Sequence, residues 1–211
     1  MKRFFLSLWA IALILGLVKI SGAEVIDFES LYTGSQTIDL LPDGYAGFNW
    51  SSDAWWITNK YDPGSGFDFG TIGNVSLITG WEEDISMNHE YFNFHGAYIT
   101  AAWNTGQDAT VEGWRDGALA YSKTIMTSYD GPHWFSFDYP GIDTLWFKPG
   151  DLGTDAGLTK DFDYHASGHH LAIDNILVTY QPSGQAAPLP STCLLFLSGL
   201  IGMAGIKRKF A

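Results

Sequence analysis

Between residues 133 and 139 the sequence reads HWFSFDY, which puts Phe135, Phe137 and Tyr139 on one side of an extended chain. A period of two is the mark of a half-buried strand, and Leu145 with Phe147 repeats it in DTLWFK. VIDFES, YAGFNW, AWWIT, VSLIT, EYFNF, AYITAAW, DATVEGW, ALAYSKTIM and LAIDNILVTY are further strand candidates, whereas helical spacing is scarce between Glu24 and Tyr180. Turn chemistry separates them at Pro42-Asp43-Gly44, Asp62-Pro63-Gly64, Asn104-Thr105-Gly106, Asp116-Gly117, Asp130-Gly131-Pro132 and Pro149-Gly150-Asp151. Many short strands punctuated in this way predict an all-β fold, an antiparallel jelly-roll-like β-sandwich in which the first strand, near Val25, pairs with the last, near Ile173. Residues 24–180 suffice for one such domain with its own core.

The two ends follow different rules. Lys2 and Arg3 precede an apolar run from Phe4 to Val18, and Ser21-Gly22-Ala23 supplies the small residues of a cleavage site, so residues 1–23 read as a signal peptide. Residues 181–187 are a small, polar linker, and residues 188–211 add a proline pair, a short apolar helix and a basic cluster. The uncharged run from Ser191 to Ile206 covers ~16 residues, or about 24 Å as a helix, less than the ~30 Å hydrocarbon core. It crosses only with bilayer thinning or with snorkelling by Lys207, Arg208 and Lys209, which stay on the cytoplasmic side. Pro188 and Pro190 then lie at the outer membrane surface, extended and open to a protease.

That order of elements resembles the C-terminal signal of bacterial PEP-CTERM proteins, in Pro188, Pro190 and Ser191, the glycines Gly199, Gly202 and Gly205, and the basic Lys207, Arg208 and Lys209. Leu189 stands where the family usually has glutamate. The resemblance implies a Gram-negative bacterium, an exosortase-like processing enzyme as partner, transient membrane attachment through the C-terminal helix, and placement at the cell surface or in an exopolysaccharide matrix. The middle of the chain is similar to domains common in such proteins, through YAGFNW, AYITAAW and LAIDNILV in that order. A permanent single-pass anchor is the plainer alternative for the tail, and a lipid-anchor signal is a third.

Charge limits the partners. All 23 acidic residues lie between Glu24 and Ala187, against five basic ones there, Lys60, Arg115, Lys123, Lys148 and Lys160, a balance of −18. Such a field repels phosphate backbones, which excludes nucleic acid, and it favours cations. Cys193 is the sole cysteine, so the domain has neither an intramolecular disulfide nor a thiol nucleophile of its own. No hydrolase or phosphate-binding motif occurs, and the expected function is non-enzymatic. An extracellular glycan-processing enzyme is the rival, with two carboxylates drawn from Glu82, Glu83, Asp84, Glu90 and Glu112. His165, His169 and His170, with Asp161 and Asp163, form one loop cluster with transition-metal character, although adjacent His169 and His170 would face opposite ways on a strand.

Tryptophan is the better clue. Eight indoles fall in the domain, at 50, 55, 56, 81, 103, 114, 134 and 146. Adjacent Trp55 and Trp56 cannot both face one core, nor can Trp146 do so if Leu145 and Phe147 point inward. Exposed indoles stack on sugar faces, which makes Trp55, Trp56 and Trp146 candidates for binding an extracellular polysaccharide. Asp27 and Glu29 share a strand face in VIDFES, and Asp174 interrupts an apolar strand where an unpaired charge is costly. A structural Ca²⁺ held by Asp27, Glu29 and Asp174 would offset that cost, and carbohydrate-binding modules, which the arrangement resembles, often carry calcium in this region. The alternative is that Asp174 and Asn175 hydrogen-bond to a neighbouring loop.

Overall fold

In a computed structural model, residues 22–59, 61–150 and 168–180 are described, and all of them fall within one compact unit. Residues 1–21 of the expected signal peptide, the linker and the C-terminal signal, with Pro188, Pro190, Ser191, Lys207, Arg208 and Lys209, lie outside the described residues, as do Asp161, Asp163 and His165, whereas Ala23 at the expected cleavage site opens the first strand. Among the described residues no helix is long and apolar enough to cross a membrane.

Among the described residues ten strands follow one another as β1 (Ala23–Ile26), β2 (Ile38–Leu40), β3 (Asn49–Trp50), β4 (Ala54–Thr58), β5 (Val75–Thr79), β6 (Ile85–Ala101), β7 (Gln107–Arg115), β8 (Ala118–Thr127), β9 (His133–Pro149) and β10 (Leu171–Tyr180), with one short α-helix, α1 (Gly66–Gly70), between β4 and β5. Every pairing is antiparallel. The hydrogen-bonded order is β2-β4-β5-β10-β6-β9-β7-β8, with β1 added to β10 and β3 to β6. The expected pairing of first and last strands is present, with Val25 opposite Leu177 and Ile26 opposite Ile176.

The period of two explains the burial. Phe137 and Tyr139 are buried from one half of β9, and Ile142, Leu145 and Phe147 from the other, with Phe92, Phe94 and Ile99 of β6 beside them. The core is largely aromatic: Phe94 stacks on Phe137 at 5.1 Å and meets Phe147 edge-on at 6.0 Å. The sequence divides β9 into two strands, HWFSFDY and DTLWFK, but the structure joins them. The change of phase between Tyr139 and Ile142 is absorbed by Asp138 and Gly141 at φ 53° and 66°, so that one strand bends instead of ending. EYFNF and AYITAAW likewise merge into β6, whose register against β9 shifts between Asn88 and Gly96.

The first strand is shorter than its sequence suggests. It ends at Ile26; Phe28 is left-handed at φ 59°, and Glu29 opens a 3-10 turn to Leu31. Asp27 and Glu29 therefore do not occupy alternate positions on a strand face. The turn expected at Asp62-Pro63-Gly64 leads directly into α1, which Ser65 caps, its hydroxyl accepting from the Phe67 N–H at 3.2 Å.

Candidate functional site

The residues of β7, β9 and the start of β6 that do not enter the core make one outer surface. Register sets Asn88 beside Thr144 and Thr144 beside Trp114; in the next row Trp146 stands between Ser86 and Glu112. Leu145, Phe147 and Val111 point the other way and are buried, so the core anchors the backbone beneath this surface. The result is an open cleft of about 460 Å³ lined by Asp84, Asn88, Trp114, Gly117, Thr144, Trp146 and Lys148.

Its polar groups hold one another in place. Lys148 Nζ reaches Glu112 Oε2 at 2.9 Å and Asp84 Oδ2 at 3.8 Å, and lies 5.7 Å from the centre of the Trp146 ring. Trp114 Nε1 donates to Glu112 Oε2 at 3.0 Å, and Thr144 Oγ1 donates to Asn88 Oδ1 at 2.7 Å. Burial works against ionisation of Glu112, but the hydrogen bonds from Lys148 and Trp114 outweigh it and hold its pKa below the usual value. Burial raises the pKa of Asp84, with the Glu112 charge adding to the shift and Lys148 opposing it.

A second, apolar pocket of about 420 Å³ opens elsewhere, walled by Ile38, Trp55, Phe67, Ile78, Thr79, Gly80, Trp81, Trp103 and His170. Trp81 is 75% exposed and left-handed, at φ 53° and ψ 23°. A bulky residue in that region is strained, which is a mark of positions kept for a purpose. Trp55 packs across Gly80 so closely that a Cβ there would lie 2.2 Å from the indole Cδ1. Glycine is what lets Trp55 and Trp81 meet, at 6.2 Å and perpendicular.

The sequence candidates separate accordingly. Trp146 lies in the polar cleft and Trp55 in the apolar pocket, whereas Trp56 is only 7% exposed and belongs to the core. Alternation in AWWIT splits the adjacent pair, as it must. Trp114 and Trp81 were visible as tryptophans, but nothing local marks them as site residues. What places Trp114 is its cross-strand register with Thr144; what places Trp81 is a backbone turn. The two described histidines of the loop cluster diverge: His169 Nδ1 bonds the Gly150 carbonyl, and His170 Nδ1 the Thr79 carbonyl.

Glu29 and Asp174 converge on residues 72–75. Glu29 Oε1 accepts the N–H groups of Asn74 and Val75 at 2.7 and 3.1 Å, and Oε2 accepts Asn74 Nδ2 at 2.9 Å. Asp174 Oδ2 accepts the Ile72 N–H at 2.8 Å and Oδ1 that of Asn175 at 2.7 Å. Asp27 Oδ1 accepts the Glu29 N–H at 3.2 Å. Among the described residues no three of histidine, cysteine, aspartate and glutamate gather as a metal-ligand set. Burial, with the nearby charges of Glu29 and Asp27 adding to it against two hydrogen bonds, pushes the Asp174 carboxyl up to about 8.

No family model and no curated protein matches the sequence. Among solved structures the chain is similar to an arabinose-bound GH51 α-L-arabinofuranosidase at 10% identity and a TM-score of 0.39, over 75% of this chain and 26% of that one. A structure described as CBM4 aligns at 13% identity and a TM-score of 0.31, over 75% and 86% of the two chains. An M60 catalytic domain with two CBM51 domains, from Clostridium perfringens, gives 13% and 0.29, over 75% and 15%. The chain thus spans about a quarter of the arabinofuranosidase it matches.

Proposed function

We propose that the domain is a non-enzymatic, glycan-binding β-sandwich of jelly-roll type, exported and sorted to the cell surface or extracellular matrix through its C-terminal signal. The observation that carries the binding role is the outer cleft, where Trp114 and Trp146 line a space also lined by Asp84, Asn88, Thr144 and Lys148. A sugar ring offers an apolar face and a hydroxyl rim, and this cleft supplies an indole for the first and fixed donors and acceptors for the second. The acidic balance of the domain favours a neutral polysaccharide over an anionic one.

Trp146→Ala is expected to weaken binding by about 1–3 kcal/mol, or roughly five- to 150-fold, on the scale of aromatic stacking. Affinity electrophoresis of the full-length protein in gels containing neutral β-glucan or xylan measures it. Equal retardation of the wild type and Trp146→Ala would move the site elsewhere, and no retardation in any neutral glycan would end the reading.

The rival, a glycan-processing enzyme, draws on Asp84 and Glu112, whose pKa values are displaced in opposite directions. Against it stands Lys148, whose ammonium lies 2.9 Å from Glu112 and 3.8 Å from Asp84 and so engages both carboxylates. Release of reducing ends from a bound glycan, lost in Glu112→Gln, would overturn the non-enzymatic reading.

Sorting rests on the tail sequence alone. In the native host the mature protein is expected to begin near Glu24 and to lose its tail close to Pro188-Leu189-Pro190. Intact mass spectrometry reads both ends, and a surface protein that retains Lys207, Arg208 and Lys209 is a membrane anchor. A calcium ion at Asp27, Glu29 and Asp174 belongs to the same proposal: the three carboxylates do not gather as a ligand set as they stand, so a cation would have to draw them together, replacing the proton that burial imposes on Asp174 and raising the melting temperature in alkaline solution.

A further inference from the structure

The apolar pocket differs from the outer cleft in what it can satisfy. Apart from the indoles its wall has two polar side chains, each with a partner. Thr79 Oγ1 accepts the Leu171 N–H at 2.9 Å, and His170 Nδ1 bonds the Thr79 carbonyl at 2.7 Å. One indole donor, the buried Trp55 Nε1, has no hydrogen-bond partner among the described residues, so a ligand here has use for an acceptor oxygen such as the choline hydroxyl. A sugar placed here would exchange hydrated hydroxyls for indole and isoleucine surface and lose hydrogen bonds. The pocket suits a group with no hydrogen to donate.

Charge decides which such group. Aromatic faces attract cations, and two nearly perpendicular ring pairs meet in this wall, Trp55 with Trp81 at 89° and Phe67 with Trp103 at 80°. The described residues include three cations, and each is engaged with another ring: Arg115 over Tyr91, Lys123 over Phe137 and Lys148 over Trp146. None of the three lines the apolar pocket. Acidic residues flank it in sequence, Asp39 beside Ile38 and Glu82 with Glu83 after Trp81, and the Asp53 carbonyl accepts the Gly80 N–H at 2.8 Å. A wall with four aromatic side chains, in an acidic domain, is thus left without a basic side chain of its own among the described residues.

We propose that this pocket, walled by Trp55, Phe67, Trp81 and Trp103, is an aromatic cage for a quaternary ammonium group of the choline type. Such a group carries positive charge on a methyl surface, so it loses little solvation on entering an apolar wall and gains from the ring faces. Trp81 is the most exposed of the four rings that wall the pocket, on a left-handed turn that leaves it 75% exposed. The site is separate from the glycan cleft and does not depend on it.

The test is calorimetric titration of the full-length protein with choline chloride, with 3,3-dimethylbutan-1-ol as the neutral carbon isostere. Choline is expected to bind, the isostere to bind at least several-fold more weakly, and Trp81→Leu, which keeps apolar bulk without the ring, to lose roughly tenfold in affinity. Trp146→Ala is expected to leave choline binding unchanged, which separates failure of the cage from failure of the glycan cleft. Phosphatidylcholine vesicles form the second arm: binding to both probes identifies a lipid headgroup as the source, and binding to choline alone a free cation. No heat with choline, equal affinity for the isostere, or a Trp81→Leu variant that binds as the wild type does would each overturn the proposal.

Discussion

Raising the pH from about 4 to about 8 is expected to cost the wild-type protein on the order of 5 kcal/mol through Asp174 alone, and Asp174→Asn is expected to abolish that slope. The unfolded carboxyl titrates near 3.8 and the folded one near 8. Between those values the folded state holds a proton that the unfolded state has released, so stability is full below the lower value and falls until the upper one is passed. Asparagine is neutral throughout, but its single oxygen accepts from only one of the Ile72 and Asn175 N–H groups, so the variant starts lower by about 1–2 kcal/mol. Urea unfolding at a series of pH values separates the two effects: an offset without a slope marks the variant, and parallel curves for both proteins would show that Asp174 does not carry the proton. The same measurement tests calcium. A millimolar calcium dose that stabilises the wild type at pH 8 but not Asp174→Asn supports the ion, and indifference to calcium and chelator alike removes it.

Gly66→Ala is expected to destabilise by about 3 kcal/mol or more, at the upper end of overpacking effects. A Cβ at this position would lie 1.8 Å from the Ala101 oxygen, 2.8 Å from the Ala101 carbonyl carbon and 3.1 Å from the Ala102 Cα, all backbone atoms with nowhere to go. The Gly66 N–H already donates to the Ala102 carbonyl at 2.7 Å, so α1 is bonded to the end of β6 at the point of closest approach. Displacing α1 would carry Phe67 away from Trp103, which it meets at 5.2 Å, and near-ultraviolet circular dichroism should report the loss. If Gly66→Ala unfolds together with the wild type, the close packing of α1 is not what holds this corner.

What the sequence made legible was whatever depends on period. Alternation in HWFSFDY and DTLWFK predicts which side chains enter the core, and Phe137, Tyr139, Leu145 and Phe147 are buried accordingly, whereas Trp56, a glycan-binding candidate from the sequence, is buried as well. It also predicts that Trp146 and one of the Trp55 and Trp56 pair face outward. Bulges were not legible, because a change of phase and a turn between two strands look alike in one dimension, as Asp138 to Gly141 illustrates. The partners of Trp146 were hidden for a related reason: Glu112, Asn88 and Trp114 reach it through pairing of β7, β9 and β6, which no local pattern encodes. Asp174 was recognisable as an anomaly in an apolar strand. Its partner, the Ile72 amide, lies 102 positions away.

The place of β10 sets the order of assembly. This last described strand lies between β5 and β6, with Ile173 paired to Leu77 on one side and to Ile99 on the other, and it also receives β1. The group β2-β4-β5 and the group β6-β9-β7-β8 therefore share no backbone ladder except through residues 171–180. A chain that emerges amino end first from a ribosome has both groups in hand before it has the strand that joins them. Final closure therefore waits for residues 171–180, and the commitment to fold is concentrated in that one strand.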